Sequence, residues 1–211
     1  MRRLLFVIPL LVTYFDAGAQ ISQPRYGVQA PSVWVSGGAA LQQGFSVADG
    51  TTGSVWQFGN ATTYGAALEK TLGNGLLLGV RGSNGLVPLN YTSPSTSVNA
   101  DAQMSQLFGT LRLASGRGFH SVLELSAGAT YYSNFRTQGG ASVKLPPLNG
   151  DTDFSFAFGY GFGYSFSPRM SVDVVQDVTT SVHQKDGLNP GDDSTVRMHG
   201  TRIMGRIGLG G

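Results

Sequence analysis

The most constraining feature of this chain is a run of alternating aromatic side chains at residues 154–166. The run reads FSFAFGYGFGYSF, and every even-numbered position in it carries a ring. Successive side chains of a β-strand point to opposite faces, so the seven rings share one face. A helix has an apolar period of 3.6 residues and would scatter them. The run therefore predicts one long strand with an aromatic face, and with Ser, Ala and Gly on the other face.

The length of this run fits a lipid bilayer. Its residues extend over roughly 40 Å at about 3.3 Å each, and a tilt of about 40–45° leaves roughly 30 Å of height, similar to the apolar band of a membrane barrel. Water-soluble proteins rarely expose such a surface. We therefore predict a lipid-facing belt made of Phe154, Phe156, Phe158, Tyr160, Phe162, Tyr164 and Phe166. In the alternative, a soluble lipocalin-like carrier, the rings would face inward and the charges outward.

The composition also favours a membrane barrel. Charged residues make up 12% of the 211 residues, about half the usual share, while Gly is abundant at 31. The formal net charge is only +2, which argues against a nucleic-acid partner. Cys is absent, so the chain has neither disulfides nor thiol chemistry.

The N-terminal segment has the pattern of a secretory signal. Arg2 and Arg3 precede the apolar run LLFVIPLLV, and a small-x-small site follows at residues 17–19. We interpret residues 1–19 as a cleaved signal peptide, residues 20–31 as a short periplasmic lead-in, and residues 32–211 as a single barrel domain. The alternative is a short N-terminal anchor or a buried segment.

Eight segments have the alternation and composition of strands, and none shows a convincing helical stripe. The predicted strands are 33–41, 55–72, 76–86, 102–113, 119–133, 153–166, 170–182 and 195–209. Tight turns at residues 72–75, 114–118 and 167–169 alternate with longer polar loops. The loops are predicted at 42–54, 87–101, 134–152 and 183–194. Short periplasmic turns and long outer loops are typical of bacterial outer-membrane barrels.

The chain resembles the family of small eight-stranded outer-membrane β-barrel proteins of the OmpA/OmpX type. Residues 64–82, 154–166 and 202–210 carry the resemblance, which covers roughly 33–209. It implies an all-β fold, an eight-stranded antiparallel up-and-down transmembrane β-barrel in the cell outer membrane of a Gram-negative bacterium. It also implies passage by periplasmic chaperones and the barrel-assembly machinery. Such barrels usually end on an aromatic residue, whereas this chain ends Ile207-Gly208-Leu209-Gly210-Gly211.

If the rings face lipid, the same parity directs charged side chains into the lumen. Trp34 and Phe108 also fall on the inner face. The lumen of eight strands is just wide enough for side chains to fill it, so inner charges must pair. The inner charged residues are Glu69, Glu124, Asp173 and Asp177 against Arg81, Arg112, Arg202 and Arg206.

A single antiparallel register of the last two strands would place two of these pairs opposite each other. Asp173 with Arg206 and Asp177 with Arg202 both give a residue-number sum of 379. We predict two cross-strand salt bridges from this register. The network is interpreted as a static interior filling, with a gate or proton path as the alternative.

The sequence offers little catalytic chemistry. His120 faces inward near the periplasmic rim, while His183 and His199 flank the fourth loop beside Asp186, Asp192 and Asp193. These loop residues could form a metal or acid–base group. No nucleophile motif accompanies them, so we predict neither an enzyme nor a cofactor or metal site. A lipid-modifying barrel enzyme is the residual alternative.

The predicted function is therefore that of an integral outer-membrane barrel with a structural or surface-interaction role. Its expected partners are outer-membrane lipid and an unidentified ligand of the outer loops. The alternative is a narrow, porin-like channel or a conduit for small, hydrophobic molecules.

Overall fold

The first strand closes the structure on itself, since it pairs with both the fourth strand and the last. A computed structural model describes residues 30–49, 52–73, 75–114, 118–137, 139–145, 151–182 and 195–210. Ten strands are found in this part of the chain. They are β1 (Val33–Gln42), β2 (Phe45–Asp49), β3 (Ser54–Phe58), β4 (Ala61–Gly73), β5 (Leu76–Ser93), β6 (Thr96–Ala114), β7 (Phe119–Thr137), β8 (Asp151–Ser167), β9 (Met170–Val182) and β10 (Thr195–Leu209).

Eight of these strands form a closed antiparallel barrel. From β4 to β10 each strand pairs with the next, and β1 lies between β4 and β10. Val33 is opposite Leu209 and Gln42 is opposite Gly200 across the closing seam. The predicted all-β fold, an eight-stranded antiparallel barrel, is thus confirmed. No helix in the described ranges is long and apolar enough to span a bilayer.

The predicted strand at 55–72 is interrupted. Gly59 and Asn60 separate β3 from β4, and the pairing with β5 shifts by one residue between the two. Pro88 of β5 lies beside this break, and its carbonyl accepts a hydrogen bond from the Gly59 amide at 2.7 Å. Proline has no N–H for a ladder, so it is tolerated in a strand at such an irregularity.

Two of the predicted loops consist largely of strand. Residues 87–101 are the ends of β5 and β6, joined by a tight turn at Pro94 and Ser95, and residues 42–54 contain β2. The alternation continues through both segments, but the outer positions change from apolar to Asn, Gln, Ser and Thr. This polarity resembled a loop, and the correct interpretation is a sheet that continues beyond the apolar belt.

Other boundaries were predicted well. The predicted strands at 170–182 and 195–209 are confirmed at both ends, while β7 extends four residues past its predicted end at 133. The predicted signal peptide and most of the lead-in, as well as the fourth loop at 183–194, lie outside the described residues.

Candidate functional site

The turn-side half of the barrel interior holds a cluster of charged side chains. Strands β4, β5, β6, β7, β9 and β10 each contribute at least one charge to it. All eight predicted inner charges belong to this cluster, and we call it the lumen charge network: Glu69, Arg81, Arg112, Glu124, Asp173, Asp177, Arg202 and Arg206. All but one have buried side chains, and Asp177 is 14% exposed.

Glu124 of β7 is the centre of this network. Its carboxylate contacts three guanidinium groups, at 3.1 Å from Arg202, 3.3 Å from Arg112 and 3.5 Å from Arg81. The Ser126 hydroxyl donates a fourth contact at 3.2 Å. These arginines come from three different strands, so one carboxylate joins β5, β6 and β10 across the lumen.

Asp177 forms the best-aligned pair. Arg202 donates to it from Nε at 3.0 Å and from Nη2 at 3.1 Å, in a bidentate arrangement. Arg81 Nη1 donates to the same carboxylate at 3.1 Å. Two parallel N–H···O bonds fix the orientation of both groups.

Asp173 and Glu69 complete the network nearer the turns. Asp173 accepts a hydrogen bond from Arg112 Nη2 and lies 3.5 Å from Arg206 Nε. Glu69 accepts a hydrogen bond of 2.5 Å from Arg206 Nη2. Each arginine of the network therefore has a carboxylate partner, as burial of a charge requires.

The predicted register of β9 and β10 is wrong by two residues. Asp177 is directly opposite Gly200, and Asp173 is opposite Met204. The pairs Asp177–Arg202 and Asp173–Arg206 still form because diagonal neighbours lie within reach of a long side chain. The ion pairs were thus predicted for the wrong geometric reason.

Two aromatic rings on the inner face pack against arginines of the network. The Arg206 guanidinium lies 4.8 Å from the Trp34 ring centroid, and that of Arg81 lies 5.4 Å from the Phe108 centroid. A cation over a ring face is attracted by the ring quadrupole. The rings that broke the apolar-outward pattern in the sequence therefore belong to the charged site.

The inner face of β8 provides room for this cluster. A Cβ atom added to Gly163 would overlap the Asp173 carboxylate, and one added to Gly159 would lie 2.8 Å from Asp177 Oδ1. These glycines therefore leave space in the narrow lumen for the two carboxylates. Strand β8 thus combines large outer side chains with nearly absent inner ones.

The histidines do not form a catalytic group in the described residues. His120 is buried, with Nε2 3.2 Å from Asp173 Oδ1 and Nδ1 3.0 Å from the Gly118 carbonyl. His199 is exposed on the outer face of β10, and His183 lies outside the described residues. No cluster of three or more metal-ligating side chains is found among the residues that the structure describes.

The loop-side half of the interior is an apolar core, which the sequence interpretation missed. It is built from inner side chains of β2, β3, β5, β6, β7 and β10 together with Leu145, and Met104 and Met198 are almost fully buried in it. Phe45 stacks on Phe58 with centroids 4.6 Å apart, and Tyr132 lies 5.2 Å from Phe58. The signal was the inner parity of residues 87–104, most of which had been assigned to the loop at 87–101.

A layer of hydroxyl and amide groups separates the two halves. Hydrogen bonds run from Ser83 to Gln106, then to Thr130, Ser155 and Ser181, across five adjacent strands. A polar cavity of about 30 Å³ lies beside this layer and is lined in part by Arg81, Asp177 and Arg202. Such a volume holds about two water molecules.

The outer surface carries the aromatic run. All seven rings of β8 are exposed, at 45–66% of their full accessible area. Large aliphatic side chains are exposed at outer positions of the other barrel strands, including Leu68, Leu111 and Ile207. Around the charge network, the barrel is thus polar inside and apolar outside, which is the reverse of a water-soluble barrel.

Comparisons with known proteins identify the fold. Neisserial surface protein A matches with a TM-score of 0.57 at 13% sequence identity, over 86% of this chain and all of that one. The outer membrane protein OprG from Pseudomonas aeruginosa matches with a TM-score of 0.53 at 13% identity, over 86% of this chain and 95% of that one. No family model and no curated protein matches the sequence. The resemblance to small eight-stranded outer-membrane barrels is confirmed at the level of the fold.

Proposed function

We propose that this chain, which has the fold of the small outer-membrane β-barrels, is an integral outer-membrane protein of a Gram-negative bacterium with a structural or surface-interaction role. The observation that carries the proposal is the filling of its interior from both sides. Charged side chains occupy the turn-side half and an apolar core occupies the loop-side half. The barrel is a closed anchor that presents its loop-side surface to the exterior.

The lumen charge network supports a structural role over a conducting one. Its four carboxylates and four guanidinium groups balance in charge, and Arg81, Arg112 and Arg202 all converge on Glu124. An open pore would need water around these groups, yet Glu124 is only 2% exposed. Paired charges of this kind fill a lumen and hold the strands together.

The outer belt supports the membrane location. Phe154, Phe158 and Phe162 are large rings exposed on one strand, and lipid is the solvent that makes this arrangement favourable. Outer-membrane lipid is therefore the first partner, and the chaperones and assembly machinery expected for such barrels remain predictions. A non-enzymatic role is part of the proposal.

Planar-bilayer recording on the refolded protein tests the closed lumen. We expect no steady conductance, because the apolar core and the charge network block the axis in series. A steady open state of the size of a wide, water-filled pore would overturn the proposal and favour the channel alternative.

A neutralised pair distinguishes a static network from a gate. The double variant Arg81→Gln/Asp177→Asn removes one charge of each sign and leaves the apolar core intact. If the network is static, this variant shows no more conductance in planar bilayers than the wild type. A gain of regular openings in the variant would assign the charges to a gate instead.

A further inference from the structure

Four strand segments project together above the apolar belt on the loop side. They are β2, β3 and the loop-side ends of β5 and β6, paired in this order. Their inner side chains pack in the apolar core, whereas their outer side chains are mostly neutral amides and hydroxyls. We call these outer side chains the amide face: Ser46, Gln57, Asn84, Asn90, Thr92, Ser97, Asn99, Gln103 and Ser105.

The register of these strands arranges the amide face in rows. Ser46 is opposite Gln57, which is opposite Asn90, which in turn is opposite Asn99. Neighbouring strands lie about 4.8 Å apart, so one row presents four polar side chains over about 15 Å.

Hydrogen bonds between the side chains hold the amide groups in place. Asn90 donates to Asn99 at 2.7 Å and accepts from the Thr92 hydroxyl at 3.0 Å. Asn84 donates to the Ser105 hydroxyl at 2.6 Å and accepts from Gln103 at 3.3 Å. A primary amide has two N–H donors and two acceptor sites, so each keeps unused hydrogen-bonding capacity in a fixed direction. Such a pre-organised surface loses little side-chain entropy on binding.

The chemistry of the amide face excludes several kinds of partner. Among the described outer positions of these four segments, Asp101 is the one charged side chain, and it lies opposite Arg136 of β7. Anionic polymers need clustered cations, and protein partners usually bind through aromatic or Arg anchors. The outer positions of these segments offer neither, which leaves a neutral, hydroxyl-rich partner.

We propose that the amide face binds the neutral saccharide chain of a glycolipid in the same leaflet. The inference rests on the proposed function, because it needs the apolar belt to lie in lipid. Directly below the amide face, the same strands expose Val80 and Leu107 to that lipid. A glycolipid matches both surfaces at once, with acyl chains against the belt and sugar hydroxyls against the amides.

Reconstitution with a neutral glycolipid tests this inference. The protein is placed in phosphatidylcholine nanodiscs that contain increasing fractions of digalactosyldiacylglycerol, and the lipids it retains are counted by native mass spectrometry. We expect selective retention of the digalactosyl lipid. The variant Asn90→Ala/Asn99→Ala should weaken its apparent affinity about fivefold to tenfold, since hydrogen-bonding groups are lost.

A matched polar pair elsewhere on the barrel is the control. The Thr201 hydroxyl donates to Gln176 Oε1 at 2.7 Å on the outer face of β9 and β10, away from the amide face. The variant Gln176→Ala/Thr201→Ala should retain the digalactosyl lipid like the wild type. Folding of every variant is checked by its gel migration with and without boiling.

Four outcomes would overturn the inference. Three of them are no enrichment over phosphatidylcholine, equal losses in the two double variants, and equal retention of phosphatidylglycerol, which would indicate recognition of a charged headgroup. Free digalactose competing as well as the lipid does would show binding without the membrane and would also contradict it. If planar-bilayer recording shows no conductance while any of these results is found, the glycolipid inference fails and the proposed function stands. Failure of the inference can therefore be distinguished from failure of the proposed function.

Discussion

At the scale of single residues, the size of the side chain decides what the lumen can hold. The inner positions of β8 from residue 155 to residue 165 carry only Ser, Ala or Gly, while the outer positions from 154 to 166 carry rings. Gly163 faces the Asp173 carboxylate and the His120 ring. A Cβ atom added to Gly163 would lie 2.6 Å from His120 Nε2. The charged side chains of the neighbouring strands therefore fit in the lumen only because this part of β8 has small inner side chains or none.

The variant Gly163→Ala tests this dependence. The added methyl group overlaps a buried ion pair, so we expect a loss of about 1–3 kcal/mol in the free energy of unfolding, as for other overpacked interiors. Urea titration in detergent micelles, followed by tryptophan fluorescence, measures it. Gly205→Ala is the matched control, because the nearest atom to its Cβ would be the Gly37 carbonyl oxygen at 3.9 Å. Equal unfolding midpoints for the two variants would show that the charge network does not need the space left by Gly163 in β8.

At the scale of the strand, one extra residue can change which face a side chain occupies. Asn134 in β7 has a positive φ of 50°, at the point where the pairing with β6 shifts by one residue. Asn tolerates this left-handed conformation better than most residues. The bulge switches the parity of β7, so Phe135 points into the apolar core, whereas an unbroken alternation would have directed it outward.

The alternation of the sequence correctly predicted which face of the sheet the charged side chains occupy, but it did not predict which residues are opposite each other on neighbouring strands. The side chains of Asp177 and Arg202 were correctly assigned to one lumen because the face depends only on the period of two. Their register was wrong because an arginine reaches a diagonal neighbour as easily as a direct one. The apolar core was missed because the outward-facing residues of the same strand segments, such as Asn90 and Asn99, are polar, which made these segments resemble a loop.

A disulfide scan decides the register of β9 and β10. Val172 and Gly205 are directly opposite each other on the outer face, whereas the register predicted from the sequence pairs Val172 with Ile207. The chain has no native Cys, so a pair of introduced thiols is unambiguous. We expect Val172→Cys/Gly205→Cys to oxidise to a cross-strand disulfide, detected by a shift in gel migration that a reductant reverses. More complete cross-linking of Val172→Cys/Ile207→Cys would contradict the register described above.

At the scale of the whole molecule, the distribution of side chains is inverted relative to a soluble protein. The two tryptophans both face the interior, since Trp34 packs on Arg206 inside the turn-side half and Trp56 is buried in the loop-side core. The sequence indicated the inversion through the rings of β8 and through the parity of the inner charges on the other strands. The two-compartment interior could not be predicted, because it depends on where each strand extends beyond the belt.

Fluorescence quenching by brominated lipids tests this inversion. Both native tryptophans face inward, so we expect weak quenching when the protein is reconstituted into bilayers of lipids brominated on the acyl chains. Phe158→Trp places an indole on the outer belt, and its added emission should be strongly quenched. Strong quenching of the wild type, or none in the Phe158→Trp variant, would contradict the assignment of faces.

The pairing of β1 with β10 has a further consequence for the order of the strands. Val33 and Leu209 are neighbours in space although they are far apart in the chain. The barrel is therefore a ring without a first or last strand, and no sheet edge remains along the closing seam. A circularly permuted chain that joins these neighbours through a short linker and opens at an outer loop keeps every pairing of the barrel. Chain order thus governs how the barrel assembles, while the finished ring does not depend on it.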